Sequence, residues 1–351
     1  MKTEHLLIIR FSAMGDVAML VPVVASLAHC YPHLRITVLS QPFARPFFDD
    51  IADNVGFMEA NIRNEYKGVH GLNLLYRRLL AKHFTAVADM HDVLRTKYLR
   101  MRFLMDGYRM EHINKHRQEK RALCRKENKV LKQLPTSFDN YADVLRRLGY
   151  PIDFHFNSLF DNQQQNQQVS LQQLEQLVGK KTPQIPWIGI APFAAHTGKI
   201  YPLDKMQQVI GLLLAHQPEA RLFLFGGGKK EKEQFNQWCQ TWKQCTNVAE
   251  TLKGISQELL LMSRLNVMLS MDSANMHLAS MVGTPVVSIW GATHPYAGFM
   301  GWNQQQSDVI QTTLPCRPCS IYGNKPCHRG DYACLNDITP ESIVEKIESH
   351  L

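Results

Sequence analysis

An apolar run that begins at Val267 stops at Asp272-Ser273, and Asn275, Met276 and His277 follow in a short stretch that ends near Gly283. An Asp-Ser pair directly ahead of a helical stretch reads as an N-cap. Beyond Gly283, Pro285-Val286-Val287-Ser288-Ile289-Trp290 does not alternate and reads as a strand buried on both faces. Strand, capped helix and strand with short joints make a βαβ unit, and open parallel sheets bind ligands at the carboxyl ends of such strands. The free amides of the helix start, with the helix dipole behind them, suit a phosphate. The chemistry indicated is that of a nucleotide-diphosphate site.

Two more loops have the same placement. Phe11-Ser12-Ala13-Met14-Gly15-Asp16 follows a first strand and opens a helix, a small-residue turn at which a ligand can approach the backbone. Asp16 either stabilises that helix start or aims a carboxylate able to accept a proton into the crevice. Residues 191–202 follow another strand and carry Lys199, a loop cation suited to a diphosphate. Gly226-Gly227-Gly228 again lets backbone approach a ligand. None of these loops is a G-x-G-x-x-G dinucleotide fingerprint or a G-x-x-x-x-G-K-[ST] phosphate loop, which disfavours a NAD-dependent dehydrogenase.

The elements that must position these residues alternate. Strands are expected at 6–11, 35–39, 55–60 and 85–89, with helices at 15–29, 71–82, 94–105 and 139–148. The second half repeats the pattern: strands at 187–191, 221–225, 267–270 and 285–290, helices at 203–216 and 230–242. A last helix at 340–350 has Thr339 as N-cap and Pro340 at its first position. Such alternation predicts two doubly wound α/β domains facing a central cleft. Residues 161–168 are polar, nearly uncharged and unable to build a core. The expected division is an N-terminal domain over 1–165, a linker over 166–186, a C-terminal domain over 187–338 and the terminal helix over 339–351.

With 351 residues, 45% of them hydrophobic and 20% charged, the chain is that of a soluble globular protein. Its longest apolar stretch, 17–30, is too short to span a bilayer and contains Pro22 and His29. The N-terminus reads as a first buried strand rather than a signal peptide, so the expected compartment is the cytoplasm. The net charge of +8 lies wholly in residues 1–160, with 24 Lys/Arg against 16 Asp/Glu; residues 161–351 are neutral. Residues 93–132 alone hold 13 basic and 4 acidic side chains. Either these are solvated helix faces, or the first half meets an anionic acceptor or membrane surface. Nucleic acid is disfavoured, since no nucleic-acid motif accompanies the charge.

Of eight cysteines, Cys30, Cys124, Cys239 and Cys245 are scattered. Cys316, Cys319, Cys327 and Cys334 follow a C-x2-C-x7-C-x6-C spacing that either holds a structural zinc or packs an irregular loop.

Taken together, the chain resembles the family 9 glycosyltransferases, the heptosyltransferase-like enzymes that extend the inner core of lipopolysaccharide. The resemblance rests on Ser12-Ala13-Met14-Gly15-Asp16, Lys199-Ile200-Tyr201-Pro202 and Asp272-Ser273-x-x-x-His277-Leu278-Ala279. Gly291-Ala292-Thr293-His294-Pro295 and the four-cysteine segment with Thr339-Pro340-Glu341 complete it in family order. It implies the GT-B fold, an acceptor-binding N-terminal domain, a donor-binding C-terminal domain and inverting transfer without a metal or other cofactor. By this resemblance Asp16 is the catalytic base, and Ser12, Met14 and Gly15 form the acceptor-side loop. Lys199 holds the donor diphosphate, Asp272, Ser273 and Ala274 form the donor turn with His277 one turn in, and Glu231 meets a ribose hydroxyl.

The implied donor is an ADP-sugar, heptose by family default, and the acceptor an anionic glycolipid, with peripheral contact to the inner membrane face. Ala274 stands where the family often has Gly, and His294 where heptosyltransferases often have an acid, which leaves the sugar open. Two readings compete: a nucleotide-sugar epimerase or hydrolase of GT-B type, and a non-catalytic nucleotide-binding module.

Overall fold

The computed structural model describes residues 4–161 and 164–351, and of 164–168 the backbone alone. The chain forms two compact units, Met1–Lys115 with Pro135–Gln163, and His116–Leu134 with Gln164–Leu351.

The first unit is built on a parallel sheet of β1 (His5–Ile9), β2 (Arg35–Ser40), β3 (Val55–Glu59), β4 (Ala86–Asp89) and β5 (Arg109–His112). Their order is β3-β2-β1-β4-β5. The central β1 is buried along its whole length, as an apolar run without alternation requires when helices cover both faces. Its Ile8 pairs with Val38 on one side and Ala88 on the other. On one face of the sheet Leu7, Ile9, Val87, Leu75, Leu79, Leu99 and Phe103 form one apolar cluster.

The second unit repeats the plan with β6 (Trp187–Ala191), β7 (Arg221–Leu224), β8 (Cys245–Asn247), β9 (Val267–Met271), β10 (Val286–Trp290) and β11 (Val309–Gln311). The order β11-β10-β9-β6-β7-β8 is parallel throughout. In both sheets the first three strands run outward to one side and the chain then crosses to the other. The switch points therefore lie between β1 and β4 and between β6 and β9, where a doubly wound sheet opens a crevice at its carboxyl edge. The Pro340–Glu348 helix covers one face, with Ile343, Val344 and Ile347 packed among Met206, Val209, Ile210 and Leu213. Thr339 caps it as expected, accepting from the Ser342 amide at 3.4 Å.

Some expectations need correction. The helix expected over 15–29 is two, Met14–Ala18 and Val21–Cys30, because Pro22 has no N–H and is tolerated only in a first turn. Strands β5, β8 and β11 do not show as apolar runs, being short edge strands with polar or half-exposed residues. Within the 166–186 stretch, where a short helix over 171–177 is expected, runs most of the longer helix Gln164–Val178, whose Leu174 and Val178 are buried. The polar run at 161–168 otherwise falls mostly outside the described side chains. The segment His116–Leu134 groups with the second unit although it lies within the first 165 residues. There Leu123 and Leu134 pack on Ala297, and the Leu134 amide donates to the Tyr296 carbonyl at 2.9 Å.

Candidate active site

At the first switch point, the turn after β1 carries Ser12, Met14, Gly15 and Asp16, with Gly15 buried in the opening turn of the Met14–Ala18 helix. Asp16 Oδ2 accepts from the Ala13 amide at 3.1 Å and pairs with Arg10 Nη2 at 2.8 Å. Arg10 is 8% exposed and Asp16 30%, so the cation is sunk and the carboxylate faces outward. Arg10 Nη1 also donates to the Met90 carbonyl at the end of β4, which ties the two loops together. Burial works against the Arg10 charge and the Asp16 carboxylate more than offsets it, leaving the guanidinium firmly protonated. The Tyr141 hydroxyl donates to the Asp16 carbonyl at 3.1 Å.

His91 completes this edge. Its Nδ1 accepts from the Phe11 amide at 3.4 Å and its Nε2 lies 3.5 Å from Ser12 Oγ. Burial foremost, then Arg10 and Lys115, pull its pKa down to about 3, so the ring is neutral. Next to it the buried Asp89 accepts from the His91 and Asp92 amides at 2.9 Å each and pairs with Arg100. Motif spacing does not reveal Arg10, His91 or Tyr141. Arg10 is nevertheless legible as a charge inside an otherwise apolar strand end, a placement that demands a partner.

At the second switch point, Lys199 after β6 and Asp272 after β9 meet: Nζ to Oδ2 is 2.8 Å. Here the carboxylate is the sunken member, 4% exposed against 16% for the lysine. Ser273 is the N-cap of the Ala274–Met281 helix, as the sequence places it, but neither Asp272 nor Ser273 caps with its side chain. Asp272 holds the lysine instead, and Ser273 Oγ lies 3.3 Å from Ser270 Oγ. The Lys199 loop is pinned by close backbone approach. The Ala292 amide donates to the Gly198 carbonyl at 2.8 Å, and a Cβ at Gly291 would lie 2.6 Å from that oxygen. Only glycine fits there. A cation held by a buried carboxylate, beside a helix start at the carboxyl edge of a parallel sheet, can receive an anionic oxygen cluster such as a diphosphate.

Residues 73–327 match the family described as glycosyltransferase family 9 (heptosyltransferase). The chain belongs to glycosyltransferase family 9. It is 25% identical over 138 residues to the lipooligosaccharide heptosyltransferase 2 of Campylobacter jejuni, covering 37% of this chain and 40% of that protein. The chain thus spans less than half the length of the curated relatives it matches. The solved E. coli ADP-heptose lipopolysaccharide heptosyltransferase II superposes with a TM-score of 0.68 at 19% identity, over 99% of this chain and 98% of that one. E. coli heptosyltransferase WaaC with ADP gives 0.66 at 16% identity, over 99% of this chain and 100% of that one. The fold is that of these proteins, GT-B.

In this family 9 chain the remaining candidates are distributed within the second unit. Glu231 sits in the first turn of the Lys229–Thr241 helix, where its Oε2 accepts from the Gly227 and Gly228 amides at 2.8 and 3.3 Å. Its carboxylate thus organises the glycine turn itself. Ala274 is the first helical residue, and His277 is buried on the same helix, its carbonyl accepting from Ser280 Oγ at 3.1 Å. His294 Nδ1 accepts from the Tyr296 amide at 3.1 Å. Burial first, then Arg317 and Lys129, bring its pKa down to about 4. The ring is therefore neutral with its proton on Nε2, a donor where a carboxylate would be an acceptor.

Arg317, inside the first cysteine pair, is buried and donates to the carbonyls of Trp290, Gly291 and Thr293 at 3.0, 2.6 and 2.9 Å. It fixes the loop that pins Lys199. The four cysteines Cys316, Cys319, Cys327 and Cys334 are free thiols lining one small pocket with Arg317. Among the described residues no group of three or more His, Cys, Asp or Glu is placed to hold a metal ion. Lys129 Nζ donates to the Cys316 and Pro318 carbonyls at 2.7 and 2.9 Å, which anchors the 116–134 segment to this loop.

Proposed function

We propose that this chain is an inverting, metal-independent glycosyltransferase. It would move a sugar, a heptose by family default, from a nucleotide sugar of the ADP-heptose kind to a lipopolysaccharide core or lipid A-type glycolipid. The observation that carries the reading is the Lys199–Asp272 pair at the β6/β9 switch point, in a family 9 chain. In this reading Lys199, Ser273 and the amides of the Ala274 turn hold the donor diphosphate, and Asp272 keeps the lysine in place. The acceptor oxygen attacks the anomeric carbon, the bond from that carbon to the diphosphate oxygen breaks, and its electron pair leaves with the nucleotide. Lys199 offsets the charge that develops there. The acceptor's proton passes to Asp16, which Arg10 holds in place at 2.8 Å.

The nucleoside diphosphate, the acceptor and the action in the cytoplasm at a membrane face all belong to this proposal. ADP bound to WaaC, and ADP-heptose named for its relative, support the choice of base. A panel of ADP, UDP, GDP, CMP and NAD with their sugar conjugates tests it by thermal stabilisation. A ligand at a hundred times its dissociation constant adds about 2.7 kcal/mol. Selective response to ADP and an ADP-sugar is expected; response to UDP species alone would replace the donor, and response to none would remove the transferase reading.

A further inference from the structure

The first unit carries a surface that the transfer chemistry does not use. The Leu94–Met105 helix buries Thr96, Leu99 and Phe103 against the sheet. At 100° per residue, Leu94, Met101, Leu104 and Met105 fall within about 100° of arc on the opposite side. Leu94 is 86% exposed and Met105 75%, and exposed apolar side chains grouped on one face mark an interaction surface. The neighbouring Gly68–Leu80 helix, joined to it by the hydrogen bond from Tyr98 to Asn73, adds exposed Val69 and Leu74.

Charge accompanies the apolar stripe and is mostly positive, with the exposed Asp106 at the helix end accepting from the Tyr76 hydroxyl. Residues 67–105 hold eight Lys/Arg and two Asp/Glu. Both acids, Asp89 and Asp92, are buried and paired with Arg100 at 3.3 Å. The exposed charges of this stretch, among them Arg77, Arg95 and Lys97, are therefore all positive. Lys97 also lies 3.7 Å from Asp92 Oδ1.

We infer that the outward face of the Leu94–Met105 helix is a docking surface for an anionic lipid bilayer. A polyanion such as nucleic acid would use the cations and leave the apolar stripe in water. A bilayer surface takes both, with apolar side chains at the acyl boundary and cations among the headgroups. The placement fits the glycolipid-acceptor reading, on which this last point rests. The helix begins at the loop whose His91 meets Phe11 and Ser12, the edge that also carries Asp16.

The test is co-sedimentation of the full chain with vesicles of phosphatidylcholine alone and of phosphatidylcholine with phosphatidylglycerol. Wild type should favour the anionic vesicles, and each cation removed should weaken partitioning about five-fold. Arg95→Glu with Lys97→Glu should thus lose about 25-fold or more. Leu94→Ser with Met105→Ser should still bind at low salt and lose binding as salt screens the charge. Equal binding to both vesicle types, no binding to either, or unchanged partitioning in both variants would overturn the inference. So would tight binding of duplex DNA by a chain that ignores the vesicles. Nucleotide-dependent stabilisation of the same samples separates the two readings: its loss removes the transferase, while failed vesicle binding with nucleotide response intact removes the surface alone.

Discussion

Asp16→Asn perturbs two things at once, and the structure says how to separate them. As the proposed general base, Asp16 should contribute about 100- to 10,000-fold to transfer. As the partner of Arg10 at 2.8 Å it also neutralises a guanidinium that is 8% exposed. Breaking a wholly buried pair costs about 3–5 kcal/mol, while an exposed pair is worth about 0–1. With Asp16 30% exposed, the cost should fall between these limits, at about 2 kcal/mol. Denaturant unfolding measures that loss, and nucleotide release under saturating donor measures transfer. Adding Arg10→Met to Asp16→Asn removes the uncompensated charge, so the double variant should regain about 1–2 kcal/mol through the coupling of the pair. Transfer should stay lost in it, and nucleotide binding should be unchanged throughout. Two results would refute the assignment: Asp16→Asn within ten-fold of wild-type transfer, or transfer restored by the second substitution.

Other expectations follow from the same geometry. Lys199→Met should weaken ADP binding by ten-fold or more in titration calorimetry, since it removes the cation and leaves Asp272 buried without its partner; unchanged affinity would place the diphosphate elsewhere. Gly291→Ala should cost about 1–3 kcal/mol and weaken nucleotide binding, because its Cβ meets the Gly198 carbonyl at 2.6 Å; a neutral effect on both would show that the loop is not pinned there. His91 has a folded pKa of about 3, below the 6.5 of a free imidazole, so the unfolded chain binds the extra proton. Its contribution is complete above pH 6.5 and falls by about 1.4 kcal/mol per pH unit as pH drops from there toward 3. His91→Gln should flatten the acid limb of stability against pH by about one proton, and an unaltered slope would refute the neutral assignment.

How much of this was legible depends on what each residue answers to. Strands β1, β6, β9 and β10 are apolar runs closed on both faces, and their hydrophobicity alone marks them. Strands β5, β8 and β11 are held mainly by backbone pairing at sheet edges, and edge pairing leaves little trace in side-chain pattern. The Ser273 N-cap position was readable, but the fate of Asp272 was not. Local chemistry makes an Asp before a helix a capping residue, and only the pairing of β9 beside β6 brings Lys199 to compete for it. Glu231 shows the reverse. Read as a ligand residue, it spends its carboxylate on the two glycine amides three and four residues upstream, a contact its spacing already allowed. The 116–134 segment was placed by charge and position in the chain, whereas Leu123, Leu134 and the Lys129 anchor decide its partner.

The two switch points use the same device with opposite polarity. Each carries a cation–carboxylate pair 2.8 Å apart, Arg10–Asp16 and Lys199–Asp272, in which one member is sunk and the other presented. In the first unit the arginine is sunk, so the surface receives a carboxylate. In the second the aspartate is sunk, so the surface receives a lysine. A sunken partner costs desolvation and adds little stability by itself, so its use is to set which sign of charge the crevice shows and to hold it rigidly. In the proposed reading one unit thereby accepts the proton and the other holds the leaving anion. Swapping the sunken residue for a neutral isostere, Arg10→Met or Asp272→Asn, should leave each presented group in place but less fixed. The expected signature is a lower kcat for Arg10→Met and altered ADP affinity for Asp272→Asn, each without the other's effect. If both variants change the same parameter, the division of labour between the units is wrong.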